Sequence, residues 1–114
     1  MSTCPFCEIA AGRIKADIVY QEDDYVAFRD IAPKAPSHVL VVPRRHIGSL
    51  NELVGPDSGL ADGLLGAAVA AAQAEGLAPG GYRFVLNCGE DAGQSVPHLH
   101  LHVLGGRPLA WPPG

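Results

Sequence analysis

Three histidines alternate in the heptapeptide His98-Leu99-His100-Leu101-His102-Val103-Leu104. In a strand, successive side chains face opposite ways, so the three imidazoles would share one face about 6.6 Å apart. Leu99, Leu101 and Val103 would then point into a core. One histidine on a strand is ordinarily a hydrogen-bonded, partly buried residue. Three at strict alternation with an apolar backing mark a cluster of titratable groups, which is a site signal. A neutral imidazole with an ordinary pKa of ~6.5 is a competent nucleophile at cell pH. For that role its far nitrogen must carry a proton and be held, commonly by a backbone carbonyl. A covalent intermediate then divides one hard displacement into two easier ones.

The segment Gly89-Glu90-Asp91-Ala92-Gly93-Gln94-Ser95-Val96-Pro97 leads into these histidines. Its small residues let backbone N–H groups approach a phosphate, and Gln94 and Ser95 add neutral donors. Neither a Walker-type lysine motif nor a dinucleotide glycine fingerprint is present. A metallohydrolase using His98, His100 and His102 on one ion is a rival reading. It fails on length, because positions i and i+4 of a straight strand lie about 13 Å apart while zinc–nitrogen bonds are ~2.0–2.1 Å.

Cys4-x-x-Cys7 reads as half a zinc site or as a redox pair. The redox reading lacks a thioredoxin-like strand and helix. Completing a zinc site takes two more ligands, and His46 and His98 are available; the alternative is two small residues packing the N-terminal segment. Cys88 reads as a small buried hydrophobe. Asp30, shortly before Pro33, reads by itself as a turn residue, and Trp111 as an interface aromatic.

The elements that must position these groups follow from punctuation. Val19 to Glu22 and Tyr25 to Arg29 flank Asp23-Asp24 as a hairpin. Val39 to Val42 is an apolar β-branched run stopped by Pro43, a buried strand. Pro56-Asp57 opens a helix running to about Ala74, with Gly76 as its stop. Within it Gly59, Gly63 and Gly66 each cost up to ~1 kcal/mol relative to Ala, so close packing should compensate. Tyr82 to Asn87 and Pro97 to Leu104 are further strands, and the tail Leu109 to Gly114 is irregular. The pattern is α+β, with antiparallel pairing of about five strands.

At 114 residues, 47% hydrophobic and 18% charged, the chain reads as one domain with a real core. The net charge is −4 and the eight basic residues are scattered, with Arg44-Arg45 reading as a solvated loop end. No basic stripe exists for a nucleic acid or an anionic membrane. Leu64 to Ala74 is too short to span a bilayer. Three cysteines make no disulfide framework, and the N-terminus has no signal-peptide pattern. A cytoplasmic setting is the expectation.

The heptapeptide resembles the signature of the histidine-triad (HIT) hydrolases and transferases. The likeness extends over Phe28-x-Asp30-Ile31-x-Pro33, Ser37-His38-x-Leu40-x-x-Pro43, Arg45-His46, Asn87, Gly93-Gln94-Ser95 and Leu104-Gly105-Gly106-Arg107…Trp111-Pro112-Pro113-Gly114. The ending is similar to the purine nucleoside phosphoramidase branch. That resemblance implies a single HIT domain over residues 1–114, with one long and one short helix, and sheets joined across a homodimer. It implies release of AMP or GMP from phosphoramidates through a nucleotidyl-His100 intermediate, with no metal at phosphorus. His102 and Ser95 would hold the phosphate and deliver a proton to the leaving amine, while His98 and His38 would buttress the strand and the proton network. Asp30 would bind ribose hydroxyls, Phe28, Ile31 and Leu40 would line the base pocket, and Asn87, Gly93 and Gln94 would contact ribose and phosphate. The tail, residues 109–114 with Trp111, would reach the partner's site. Some superfamily members carry a structural zinc on Cys-x-x-Cys and two histidines, which implies Cys4, Cys7, His46 and His98 here. Dinucleoside polyphosphate hydrolysis and a non-catalytic nucleotide-binding scaffold are the alternative functions.

Overall fold

The computed structural model describes residues 4–114. A short helix α1 (Pro5–Ala10) precedes strands β1 (Ile18–Gln21), β2 (Tyr25–Arg29) and β3 (Ser37–Pro43). Two 3₁₀ turns, Leu50–Glu52 and Gly55–Asp57, lead to the long helix α2 (Leu60–Ala74), and β4 (Tyr82–Val85) and β5 (Leu101–Gly105) complete the chain. The five strands form one antiparallel sheet in the order β1-β2-β3-β5-β4. This is the expected α+β architecture with one long and one short helix.

Two layers of side chains leave the sheet. Tyr25, Ala27, Val39, Val41, Leu101 and Val103 pack against Leu64, Ala67, Ala68, Ala71 and Ala72 of α2. Those helix positions recur at the three- and four-residue spacing of one helical face, and four of the five are alanines, which lets the helix lie close to the sheet. On the opposite face Val26, Phe28, Leu40 and Val42 pack with Phe6 of α1. Register carries the histidines to that second face, because Leu40 is paired with His102 and with Phe28.

Several boundaries differ from the sequence expectation. Ladder pairing in β5 begins only at Leu101, not at Pro97, and residues 96–98 form a bend in which the His98 N–H donates to the Val96 carbonyl at 2.9 Å. The next N–H, that of Leu99, leaves the sheet to bond the Ile47 carbonyl. Alternation still holds for the side chains, since Leu99 joins the α2-side core. The helix expected from Pro56 is split, with a 3₁₀ turn before α2 proper. β4 stops at Val85 rather than Asn87. Arg44 is no idle loop end: it donates to the carbonyls of Ala10 (2.7 Å) and Glu22 (3.0 Å) and to the Gln21 side chain (3.1 Å). Cys88 is half-buried rather than buried.

The helix glycines have separate explanations. Gly76 (φ +72°) ends α2 with a Gly76 N–H to Gln73 bond and a Leu77 N–H to Ala72 bond, a Schellman closure. At Gly63 an added Cβ would lie 2.3 Å from the Tyr25 hydroxyl oxygen, and that hydroxyl donates to the Leu60 carbonyl at 2.9 Å. The expected compensating contact therefore exists at Gly63. Gly59 and Gly66 face open space. Gly63→Ala is expected to destabilise the protein by about 1–3 kcal/mol through overpacking against a buried ring. Gly66→Ala, with nothing to meet, should stabilise it by roughly 0.5–1 kcal/mol. Urea denaturation of the two variants checks both signs.

Candidate active site

A cleft of about 700 Å³ opens on the α1 side of the sheet. Phe28 and Leu40 from adjacent strands make an apolar floor, and Phe6 and Ile9 of α1 make one wall. Asp30 and the fully exposed Ile31 stand at the lip, and Ser95, His100 and His102 close the polar end. The fold therefore brings together seven residues singled out from the sequence: Phe28, Asp30, Ile31, Leu40, Ser95, His100 and His102. Asp30 keeps its turn role as well, because its Oδ1 accepts the Ala32 N–H at 2.8 Å.

Fixed backbone partners dictate which nitrogen of each ring carries the proton. His100 Nδ1 lies 2.8 Å from the His98 carbonyl, which can only accept, so Nδ1 is the N–H. Its Nε2 retains the lone pair, the state a nucleophile requires. The Lys34 N–H donates to His38 Nδ1 at 3.0 Å, so the His38 proton is on Nε2, 2.9 Å from His102 Nδ1. His102 therefore accepts at Nδ1 and presents an N–H at Nε2. The two rings stand 5.1 Å apart, centroid to centroid, in opposite tautomers, one offering a lone pair and the other a proton donor. Burial lowers the His38 pKa. His102 is pushed down to about 4, first by burial and then by repulsion from His100 and His38. Both are neutral at pH 7.

Two groups of metal-ligating residues occur among the described residues, and tautomers separate them. In Asp30, His38 and His102, the His38 nitrogen facing the others is the protonated one, and reversing it would set an N–H against the Lys34 N–H. That group is a proton network, not a cation site. In Cys4, Cys7, His46 and His98, the buried His98 donates Nε2–H to the Pro43 carbonyl at 2.9 Å, leaving the Nδ1 lone pair toward the thiols. His98 Nδ1 lies 3.3 Å from Cys4 Sγ and 3.5 Å from Cys7 Sγ, and His46 Nδ1 lies 3.2 Å from Cys7 Sγ. A tetrahedral zinc with its usual bond lengths requires sulfur–nitrogen edges of roughly 3.6 Å, so this set fits such an ion.

The loop before the triad is braced from within. The Gln94 amide is committed to the protein: Nε2 donates to the Gly48 and Val96 carbonyls, and Oε1 accepts the Gly89 N–H. It braces the loop and does not line the cleft. Asn87 donates to the Ala92 carbonyl at 2.6 Å, its buried Oδ1 has no partner among the described residues, and Gly93 sits beside it. Neither lines the cleft. Trp111 is 78% exposed, stacks with the Arg83 guanidinium and does not line the cleft. Phe6 was missed by sequence reasoning. It meets the His100 ring edge-on at 5.0 Å and Phe28 at 5.6 Å, and its only sequence signal is an aromatic set between two cysteines.

A HIT domain model matches residues 11–109. The chain is 50% identical over 109 residues to an uncharacterized HIT-like protein of Synechococcus elongatus, covering 96% of this chain and 95% of that protein. Among solved structures it is similar to a HIT family hydrolase from Legionella pneumophila, with TM-score 0.93 and 48% identity over 98% of this chain and 100% of the other. A histidine triad protein from Clostridium difficile superposes with TM-score 0.92 at 38% identity, covering 96% of each chain.

The lowered histidine pKa values carry a sign for stability. An unfolded His102 takes up a proton near pH 6.5, whereas the folded one resists until about pH 4. Its stabilisation is full above pH 6.5 and is lost as pH falls toward 4, because the unfolded chain then binds more protons. His38 adds in the same direction. Thermal melts between pH 7 and pH 4 should show a falling Tm, with a shallower slope in His102→Asn. An equal slope in both proteins would disprove the assignment.

Proposed function

This chain belongs to the HIT family, and on that premise we propose that it is a hydrolase of purine nucleoside phosphoramidates, acting through a covalent nucleotidyl-His100. The observation that carries the reading is the hydrogen bond from His100 Nδ1 to the His98 carbonyl, which leaves Nε2 nucleophilic beside the Nε2–H of His102. The cleft suits the substrate. Phe28 and Leu40 offer apolar surface to a base, Asp30 an acceptor for ribose hydroxyls, and Ser95 and His102 donors for phosphoryl oxygens.

In the first step His100 Nε2 forms a bond to phosphorus while the P–N bond to the amine breaks. His102, neutral at working pH, stabilises the phosphoryl charge as a positioned donor. Ser95, and solvent beyond it, supplies the proton taken by the amine. Water, passing its proton back to Ser95 and solvent, then displaces His100 from phosphorus and releases the nucleoside monophosphate. Cys4, Cys7, His46 and His98 hold a structural zinc in this reading, away from phosphorus, and their reduced thiols suit a cytoplasmic setting.

A homodimer completes the reading. β4 is an edge strand of the sheet, and Arg83 on it holds the tail through the Ala110 carbonyl and the Trp111 ring. In this reading a second copy adds at that edge and the tail serves the partner's cleft.

Adenosine 5′-phosphoramidate, incubated with the protein and no added metal, is the direct test, with AMP release expected. His100→Ala should lower turnover by ~1000-fold or more with little change in AMP affinity, since the loss falls on the transition state. Mass measurement of rapidly quenched enzyme should show a nucleotidyl adduct on His100; an adduct on another residue would refute the mechanism. On a sizing column the protein should elute at twice 11.9 kDa. Deleting the chain from Leu109 onward should shift preference among amine leaving groups more than AMP affinity. A monomer, or unchanged preference, counts against the shared site.

A further inference from the structure

We propose that the Cys4–Cys7–His46–His98 centre sets nucleotide affinity, with Phe6 as the positioning residue that transmits it. The inference rests on the nucleotide reading of the cleft. α1 has six residues, too few for a helix to hold itself, since isolated helices need about 12–15 residues even in favourable sequences. Its position comes from the packing of Phe6, Ile9 and Ala10 against the sheet and from anchors at its two ends. At the N-terminal end Cys4 and Cys7 approach His98 and His46 at 3.2–3.5 Å. At the C-terminal end Arg44 Nη1 grips the Ala10 carbonyl at 2.7 Å.

Phe6 lies in the first turn of α1 between Cys4 and Cys7, so it moves with those thiols. Its ring touches three parts of the site: Phe28 on the cleft floor (5.6 Å), His98 (5.9 Å, edge-on) and the nucleophile His100 (5.0 Å, edge-on). Phe6 and Ile9 also form one wall of the cleft itself. His98 belongs to both structures, pointing Nδ1 at the thiols and its carbonyl at His100 Nδ1. An ion held by the four side chains would fix the distance between α1 and the triad segment. Without it, that end of the wall would rest on side-chain packing and hydrogen bonds, and the slot between Phe6 and Phe28 would lose its set width.

The test is calorimetric titration of AMP into zinc-loaded protein and into protein stripped with a chelator. Elemental analysis and melting curves confirm zinc content and folding in each sample. Stripping is expected to weaken AMP binding by about tenfold, on the scale of one edge-to-face aromatic contact, and reloading to restore it. His46→Gln, which removes an exposed ligand and leaves the core intact, should reproduce the weakening. Zinc-loaded Phe6→Leu should bind zinc normally, bind AMP about as weakly as stripped protein, and respond little to stripping, because the two changes remove one coupling. Histidine-ring nitrogen NMR should show the His100 signals shifting on stripping in the parent protein and not in Phe6→Leu. Equal AMP affinity with and without zinc, a Phe6→Leu protein as sensitive to stripping as its parent, or no bound zinc at all would each overturn the proposal. AMP that binds neither form would instead refute the nucleotide reading on which it stands.

Discussion

The hydrogen bond from His100 Nδ1 to the His98 carbonyl fixes one tautomer of one ring, and much of the surrounding structure exists to keep that carbonyl in place. The bend at residues 96–98 aims it. The Leu99 N–H, in the same planar peptide unit as that carbonyl, is held by the Ile47 carbonyl, and the His98 ring is pinned through Nε2 to the Pro43 carbonyl. A ring nitrogen facing a carbonyl has no choice but to donate. That removes the tautomeric freedom an exposed histidine would keep, so reactivity is assigned by backbone geometry rather than by the intrinsic chemistry of imidazole.

The same rule distributes roles among the other histidines. His38 receives a backbone N–H at Nδ1 and passes donor character to His102, while His98 receives a carbonyl at Nε2 and turns its lone pair toward Cys4 and Cys7. Two clusters that look equally metal-like by composition and distance thus differ in kind. Burial reinforces the division. Desolvation holds His38, His98 and His102 below the ordinary histidine range, which keeps an array of rings neutral that could not all be charged so close together.

The sheet is what makes this crowding possible. Its α2 face is packed by alanines against Val39, Val41, Leu101 and Val103, a dry layer that lets the opposite face carry polar rings without loss of core. Strand order places β3 and β5 side by side, and it is this neighbouring pair that brings His38 to His102 and Leu40 under the cleft.

Much of this was legible in the residues alone. Alternation of histidine with Leu99, Leu101 and Val103 dictated which side chains face the core, because a two-residue period has only two outcomes. The α+β pattern and the Gly76 helix stop could be read from type and spacing, while the grouping of Cys4 and Cys7 with His46 and His98, which the fold brings within reach of one another, was implied by the family resemblance. Other features depend on contacts between positions far apart in the chain, which no local pattern encodes. The Gln94 amide turned from the cleft to the Gly48 carbonyl, Arg44 became a brace for α1, and Phe6 became a wall beside His100. Sequence determined which groups were present and which face of the sheet they took. Only tertiary structure decided which ring nitrogen keeps its lone pair, because the deciding partner is a carbonyl or N–H whose direction is set by the fold.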